Sequence, residues 1–172
     1  DPGEPGLLVA ATAIAVPPTS GVELTIREQD YATLQGIMPM PVQEDDWTPD
    51  RPLLREESAY TTGGFVPDRA AEAGEPAIMR DFRVVALRAF PVAYDASTGE
   101  LRVARRLLLE LDYSSAGRVN VKTAFRAPSR AFRSLYESTI ANYDFVRPRY
   151  EDDQSGRYLI ITHDNFYNSI LP

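Results

Sequence analysis

The strongest constraint on the fold of this chain is the alternation of apolar and charged residues over 100–113. The apolar set comprises Leu101, Val103, Leu107, Leu109, Leu111 and Tyr113, and the polar set comprises Arg102, Arg106, Glu110 and Asp112. Successive side chains of a β-strand point to opposite faces of the sheet. A period of two therefore predicts a strand with one buried face and one solvated face.

A second strand-like run covers 78–92, and a loop over 94–100 joins it to the first. Gly99 stands in that loop where a hairpin turn needs a positive φ. We therefore predict a long hairpin formed by 78–92 and 100–113. Burying each Leu or Val contributes about 1.5–3 kcal/mol, so we expect this hairpin to be the centre of the core.

Shorter apolar runs bounded by Pro and Gly predict further strands in 5–42 and at 118–122. The run 7–16 is preceded by acidic rather than basic residues, so we interpret it as a strand and not as a targeting segment. It is also too short to span a membrane as a helix. Together these runs predict a mainly β fold, an antiparallel β-sandwich of jelly-roll-like type.

The chain changes character after 124. An amphipathic helix with Ser129 as N-cap is predicted from an apolar stripe, which comprises Phe132, Leu135, Tyr136, Ile140 and Tyr143. Residues 145–156 have the composition of a linker. A strand followed by a helix start at 157–172 is half of a βαβ unit, so we expect a β domain over 1–144 and the beginning of a truncated α/β domain, both cut from a longer protein.

Composition excludes several classes of function for this span. The formal charge of −7 argues against nucleic-acid binding, and the absence of Cys excludes a disulfide framework, a thiolate metal site and a cysteine nucleophile. The single histidine, His163, is interpreted as a residue at a helix start. The acidic runs 44–46 and 151–153 lack the ligand spacing of a calcium loop. No cofactor, metal or catalytic residue is assigned, and we expect a monomer.

The long irregular stretch 43–77 is the first candidate for a functional segment. A loop of this length inside a compact domain is uncommon and usually functional. It carries Arg51, Arg55 and Arg69, any of which could fill an acidic specificity pocket. Trp47 and Tyr60 in the same stretch are expected to pack back on the domain and not to form a sugar-stacking platform.

Two segments resemble the N-terminal prodomain of gingipain-like cysteine peptidases, peptidase family C25. Residues 75–85 read Glu-Pro-Ala-Ile-Met-Arg-Asp-Phe-Arg-Val-Val, and 91–103 read Pro-Val-Ala-Tyr-Asp-Ala-Ser-Thr-Gly-Glu-Leu-Arg-Val. Residues 141–143 (Ala-Asn-Tyr) and 156–161 (Gly-Arg-Tyr-Leu-Ile-Ile) are similar to the family's junction between prodomain and catalytic domain. The resemblance covers roughly residues 4–172.

The resemblance implies a prodomain that assists folding and maintains latency in an enzyme secreted to a bacterial cell envelope. The partner would be its own caspase-like catalytic domain, with a Cys–His dyad beyond Pro172. In the family a loop offers a basic side chain to the specificity pocket, and position favours Arg51, with Arg55 and Arg69 in reserve. Cleavage after an Arg near the junction maps to Arg149, before Tyr150.

A second hypothesis comes from a different class of protein. The β domain would be a secreted binding or adhesion module, for example for glycans, fused to an unrelated α/β domain. The sequence beyond residue 172 separates the two hypotheses, because only a peptidase parent requires a downstream His followed by a Cys.

Overall fold

Two antiparallel β-sheets form the body of the protein. The computed structural model describes residues 1–113, 115–124 and 130–147. The strands are β1 (Ala10–Ala15), β2 (Glu23–Gln35), β3 (Ala71–Ala73), β4 (Ala77–Met79), β5 (Phe82–Ala89), β6 (Val92–Asp95) and β7 (Glu100–Asp112). The helices are α1 (Arg133–Thr139) and α2 (Tyr143–Val146), with 3₁₀ turns at Glu57–Tyr60 and Arg130–Phe132.

Each sheet has one central strand. In the first sheet β5 lies between β1 and β3 and also pairs with β4, and in the second β7 lies between β2 and β6. All of these strand pairs are antiparallel. The predicted mainly β, antiparallel fold is confirmed.

The predicted hairpin of 78–92 with 100–113 is wrong in its first strand. The segment 78–92 is divided among β4, β5 and β6, and only β6 pairs with β7. Arg80, at φ 50°, makes the turn between β4 and β5. Pro91 lacks the N–H that a continuing strand would donate, so the chain leaves the first sheet there and enters the second.

The strand predicted at 100–113 is confirmed, and its main partner is β2. Both strands are 13 residues long, and their register shifts near Ile26 and Asp30. The predicted apolar residues of β7, from Leu101 to Leu111, are half-buried. The four charged residues of the predicted polar face are exposed, and Ala104 on the same face is half-buried. The alternation therefore identified the correct face but not the neighbouring strand.

The core lies elsewhere than predicted, between the first sheet and the C-terminal helices. Its buried cluster comprises Ala15, Val84, Tyr136, Ile140 and Tyr143, packed against Ala13, Met79, Phe82 and Phe132. The large aromatic side chains of the helices bury more apolar area than the Leu residues of β7, which keep contact with solvent on a sheet that is covered less completely.

The predicted helix is two short helices separated by residues 140–142, of which Ile140 is extended and the next two form a turn. Tyr136, Ile140 and Tyr143 of the predicted stripe are buried, but Leu135 is exposed. Ile140 leaves the helical conformation at ψ 108° because it forms a parallel bridge to Ala13 of β1. The expected packing of this segment on a sheet is thus correct, whereas the N-cap Ser129 lies outside the described residues.

The Arg-Asp-Phe sequence at 80–82 docks the helices onto the sheet. The Tyr136 hydroxyl donates a hydrogen bond to Asp81 Oδ2 at 2.6 Å. The Phe82 ring meets the Tyr136 ring edge-on, with 4.9 Å between centroids, and the Arg80 guanidinium lies 3.8 Å from the centroid of the Phe132 ring. Burial and the Asp81 hydrogen bond raise the pKa of Tyr136 well above its ordinary value, so its hydroxyl remains a donor.

The strand predicted at 118–122 is absent. Asn120 has φ 47°, which is incompatible with an extended strand, and the segment is bent. It is held by Arg83, whose guanidinium donates to the Val119 carbonyl at 3.0 Å. The backbone N–H of Lys122 also donates to the Pro18 carbonyl, at 2.9 Å.

Asn142 attaches the end of the helical segment to β1. Its Oδ1 accepts from the Ala15 N–H at 2.8 Å, and its Nδ2 donates to the Ala15 carbonyl at 2.9 Å. The side-chain amide thus replaces the backbone of a neighbouring strand at the edge of the sheet.

Replacing Asn142 by alanine is expected to lower the free energy of unfolding by about 1–3 kcal/mol, because the backbone N–H and C=O of buried Ala15 both lose their partner. Urea denaturation followed by circular dichroism measures the change. Ser138→Ala, on the exposed side of α1, is the matched control and is expected to change stability by less than about 0.5 kcal/mol. Equal stabilities of the two variants would contradict the assignment.

Candidate functional site

The loop predicted to be functional is tied to the N-terminal segment at both ends. On the entering side, the Gly3 N–H donates to the Val42 carbonyl at 2.7 Å, and the Gly6 N–H donates to the Met40 carbonyl at 2.8 Å. On the leaving side, the Glu56 N–H donates to the Gly3 carbonyl at 2.9 Å. The loop therefore starts and ends beside the same residue.

A single side chain closes the base of this loop. Gln43 Oε1 accepts from the Leu54 N–H at 2.9 Å, and Gln43 Nε2 donates to the Leu54 carbonyl at 3.0 Å and to the Pro41 carbonyl at 2.9 Å. The side-chain amide pairs with the backbone of residue 54 as a strand would. We call residues 43–54 the clasped loop.

The clasped loop contains two consecutive turns. The Trp47 N–H donates to the Glu44 carbonyl at 3.0 Å, and the Arg51 N–H donates to the Thr48 carbonyl at 2.9 Å. The pKa of the Asp50 carboxyl is lowered, first by a hydrogen bond from the Thr48 side chain and then by one from the backbone of Asp50 itself. The loop is therefore locally ordered even though it contains neither helix nor strand.

The aromatic residues of this region are directed inward, as expected. Tyr60 is buried and its hydroxyl donates to the Pro39 carbonyl at 2.8 Å. Trp47 is half-buried, and its Nε1 finds no partner among the described residues. Trp47 lines a shallow cavity of about 370 Å³ together with Gln43, Glu44, Arg51, Pro52, Leu53 and Leu54.

Arg51 is the most loosely held of the three candidate arginines. Its side chain is 51% exposed, and its Nη1 lies 3.4 Å from Asp46 Oδ2, a carboxylate that is itself 78% exposed. An ion pair this long between exposed groups contributes little. The guanidinium can leave Asp46 at small cost, so Arg51 is available to a partner.

Arg55 and Arg69 are engaged more firmly. The Arg55 guanidinium lies 4.4 Å from the centroid of the Tyr60 ring and its Nε lies 3.3 Å from Glu57. Arg69 pairs with Asp68 at 3.2 Å and with Glu72 at 3.4 Å. Arg69 also lies outside the clasped loop, just before β3, so the structure does not bring the three arginines into one site.

The predicted cleavage site lies outside the described residues. Arg149, Tyr150 and His163 all fall there, as does the α/β segment 157–172. The described chain ends at Arg147, directly after α2, which extends two residues past the predicted domain boundary at 144.

An exposed apolar surface beside the loop was not anticipated from the sequence. Met38, Met40, Leu53 and Leu54 are each close to half exposed or more. We call these four residues the apolar rim. The sequence feature that corresponds to this surface is the alternation of Met with Pro over 38–41. Pro39 and Pro41 are half-buried, and the Met residue that precedes each of them faces outward.

Within the described residues, no group of three or more His, Cys, Asp or Glu side chains could hold a metal ion. The same part of the chain includes no helix long and apolar enough to cross a membrane. The clasped loop with its rim combines an exposed arginine with exposed Met and Leu side chains, and Arg and Met are residue types enriched at protein–protein interfaces.

The chain is similar to known bacterial proteins. Gingipain R2 of Porphyromonas gingivalis, from strain ATCC 33277 and from strain W83, is 21% identical over 173 residues, which cover 98% of this chain and 24% of the relative. The chain thus spans about a quarter of the length of these curated relatives.

Two solved structures share the fold. One is the complex of Porphyromonas gingivalis RgpB pro- and mature domains, with a TM-score of 0.69 and 23% identity, covering 84% of this chain and 74% of that one. The other concerns the zymogenic latency of gingipain K from the same organism, with a TM-score of 0.53 and 22% identity, covering 67% of this chain and 69% of that one. The family model Propeptide_C25 matches residues 1–149, and the chain therefore belongs to the Propeptide_C25 family.

Proposed function

We propose that this chain is the inhibitory and folding-assisting prodomain of a secreted gingipain-like cysteine endopeptidase. Membership of a propeptide family supports the precursor role, and the curated relatives are gingipains. The observation that carries the inhibitory role is the display of Arg51, half exposed and weakly paired, on a loop tied at both ends.

The proposed partner is the catalytic domain of the same protein. The RgpB structure contains pro- and mature domains in one complex, which supports a contact of this kind here. Leu53 and Leu54 of the apolar rim belong to the clasped loop and line the same cavity as Arg51, and apolar side chains around a charged anchor would exclude water from the contact. The rim would then surround the point at which Arg51 enters the specificity pocket.

The local contacts favour Arg51 over the other two arginines as the inserted residue. Insertion of Arg55 would remove its guanidinium from the Tyr60 ring and from Glu57. Insertion of Arg69 would break ion pairs with both Asp68 and Glu72. Arg51 would lose its contacts with a single residue, the Asp46 carboxylate and carbonyl oxygens that each lie 3.4 Å from Nη1, and would gain a buried carboxylate in an acidic pocket.

Activation is proposed to occur by cleavage between Arg149 and Tyr150. Both lie in the charged stretch that follows α2, two and three residues after Arg147. The alternative Arg147 precedes Pro148, and a bond to proline resists most endopeptidases. N-terminal sequencing of the mature enzyme is expected to start at Tyr150 or within a few residues of it.

The inhibitory proposal is tested by adding purified prodomain to the mature peptidase. Arg51→Ala is expected to raise the inhibition constant about 30- to 1000-fold, because a buried arginine anchor commonly contributes about 2–4 kcal/mol. Arg55→Ala and Arg69→Ala are the matched controls in the same stretch and are expected to change the constant less than about fivefold. If all three variants inhibit as well as the wild-type prodomain, Arg51 is not the inserted residue and general coverage of the cleft must maintain latency.

A further inference from the structure

The residue directly after Arg51 is Pro52, and two residues later the chain pairs with Gln43. We propose that Pro52 makes the clasped loop a substrate-like inhibitor that the parent peptidase cannot cleave, and that Gln43 is the positioning residue that holds the loop in its binding conformation. This inference rests on the proposed function.

Pro52 acts on the bond that an arginine-directed peptidase would attack. In such hydrolysis the catalytic thiolate adds to the Arg51 carbonyl carbon, the bond to the nitrogen of residue 52 breaks, and that nitrogen takes a proton as it leaves. Water then hydrolyses the thioester, which frees the catalytic thiol and releases the fragment that ends at Arg51 as a carboxylate. The proline nitrogen belongs to a ring and carries no N–H, so it cannot donate the hydrogen bond that a peptide substrate offers at this position.

Pro52 also favours binding before any chemistry occurs. A residue that precedes proline is restricted to extended backbone conformations. Peptides that add to the edge of a sheet or lie in a cleft are bound in such extended conformations. Pro52 thus favours an extended conformation at Arg51, the residue that closes the turn from Thr48, and protects the following bond.

Gln43 supplies the second requirement, which is a rigid loop. Its amide makes two hydrogen bonds to the backbone of Leu54 and one to the Pro41 carbonyl, so it fixes the separation of the two ends of the loop. A loop that is ordered before binding loses less conformational entropy in the complex. A clasped base also keeps the two sides of the loop together if the bond is attacked, which favours its re-formation.

The same reasoning separates the inhibitory arginine from the activation site. Arg51 and Arg147 are each followed by proline, whereas Arg149 is followed by Tyr150. A peptidase with a single specificity for arginine can therefore bind Arg51 without cleaving after it and can cleave after Arg149. The residue that follows the arginine decides between inhibition and activation.

The decisive variant is Pro52→Ala, with Pro49→Ala as the control that removes a proline from the same loop two positions before Arg51. Each prodomain is incubated with the mature peptidase, residual activity is followed over time, and the peptides are identified by mass spectrometry. Pro52→Ala is expected to inhibit at first and then to lose inhibition as fragments ending at Arg51 accumulate. Pro49→Ala and the wild-type prodomain are expected to remain intact and inhibitory.

The positioning role of Gln43 is tested by comparing the effect of its substitution on the inhibition constant with the effect on the melting temperature. Gln43→Ala is expected to raise the inhibition constant about tenfold, since two backbone groups of Leu54 lose their partner, while the melting temperature measured by circular dichroism changes little. Gln43→Glu keeps the acceptor and loses the donor, so an intermediate constant is expected. Gln35→Ala, a glutamine at the end of β2, is the control and is expected to inhibit like the wild-type prodomain.

The outcomes distinguish this inference from the proposed function. If Arg51→Ala abolishes inhibition but Pro52→Ala stays uncleaved and fully inhibitory, the role of Pro52 is wrong and the arginine plug stands. If Gln43→Ala inhibits as well as the wild-type prodomain, the positioning role is wrong. If Arg51→Ala inhibits like the wild-type prodomain, Arg51 is not the inserted residue and the roles of Pro52 and Gln43 fall with it, whereas the proposed function itself fails only if the wild-type prodomain does not inhibit the mature peptidase.

Discussion

Replacing Arg83 by methionine is expected to lower the free energy of unfolding by about 3–5 kcal/mol, because the change removes three hydrogen bonds from a buried cation to partly buried carbonyl groups. Arg83 is only 2% exposed. Its Nη1 donates to the Pro17 carbonyl at 2.8 Å and to the Ser20 carbonyl at 2.7 Å, and its Nη2 donates to the Val119 carbonyl at 3.0 Å. Methionine fills a similar volume but can donate to none of them.

Arg83 is unusual because its contacts are backbone carbonyls, whose dipoles stabilise the buried cation. Through them it joins β5 to the turn at 17–20 and to the bent segment at 118–122. Two loops that are distant in sequence therefore depend on one side chain. Loss of Arg83 is expected to release both loops together.

Urea denaturation followed by circular dichroism measures the Arg83 effect. Arg88→Met is the matched control, since Arg88 lies on the same strand, is exposed and pairs with Glu72 at 3.1 Å. An exposed ion pair contributes at most about 1 kcal/mol, so the control is expected to lose no more than that. A loss below about 1 kcal/mol for Arg83→Met would show that water replaces the guanidinium, and the proposed role of Arg83 would be wrong.

Replacing Tyr136 by alanine is expected to lower the free energy of unfolding by about 3–5 kcal/mol, the usual cost of removing a buried aromatic side chain. Tyr136 is fully buried among Val84, Ile140 and Tyr143. Its ring contacts Phe82 and its hydroxyl donates to Asp81. The substitution would leave a cavity and would remove the Tyr136 donor from the Asp81 carboxylate, which would keep the Arg80 Nε at 3.4 Å.

The hydroxyl and the ring of Tyr136 can be separated by a second variant. Tyr136→Phe keeps the ring and is expected to lose about 1–3 kcal/mol through the Asp81 hydrogen bond alone. Leu135→Ala is the control from the adjacent position, because Leu135 is exposed despite its place in the predicted stripe. If Leu135→Ala destabilises the domain as much as Tyr136→Ala, the observed orientation of α1 is wrong.

These helical contacts also bear on the proposed folding role. The segment from Phe132 to Arg147 leads directly to the stretch in which cleavage is proposed. Asp81 and Phe82 hold α1 on the first sheet, and Asn142 holds the following residues on β1. Three side chains, Asp81, Phe82 and Asn142, therefore hold the C-terminal part of the described chain on the first sheet.

The sequence by itself determined the strand over 100–113 and the buried positions 136, 140 and 143. Both follow from local periodicity, because the direction of a side chain depends on its position within its own strand or helix. The two turn-forming features of 78–92, Arg80 and Pro91, were also present in the sequence. Their effect depended on which sheet each fragment joined, so the single strand predicted there was wrong.

Only the tertiary structure decided the roles of Arg83 and Gln43. Both are polar residues whose partners are distant backbone groups, and a polar residue in a sequence is by default expected to face solvent. Arg83 is buried because three carbonyls from two remote loops converge on it, and Gln43 closes a loop because Leu54 returns to it 11 residues later. The loop and its arginines could be predicted from composition, and the family resemblance already favoured Arg51 by position. The contacts that support this choice, with Asp46, Tyr60 and Glu72, depend on how the chain folds.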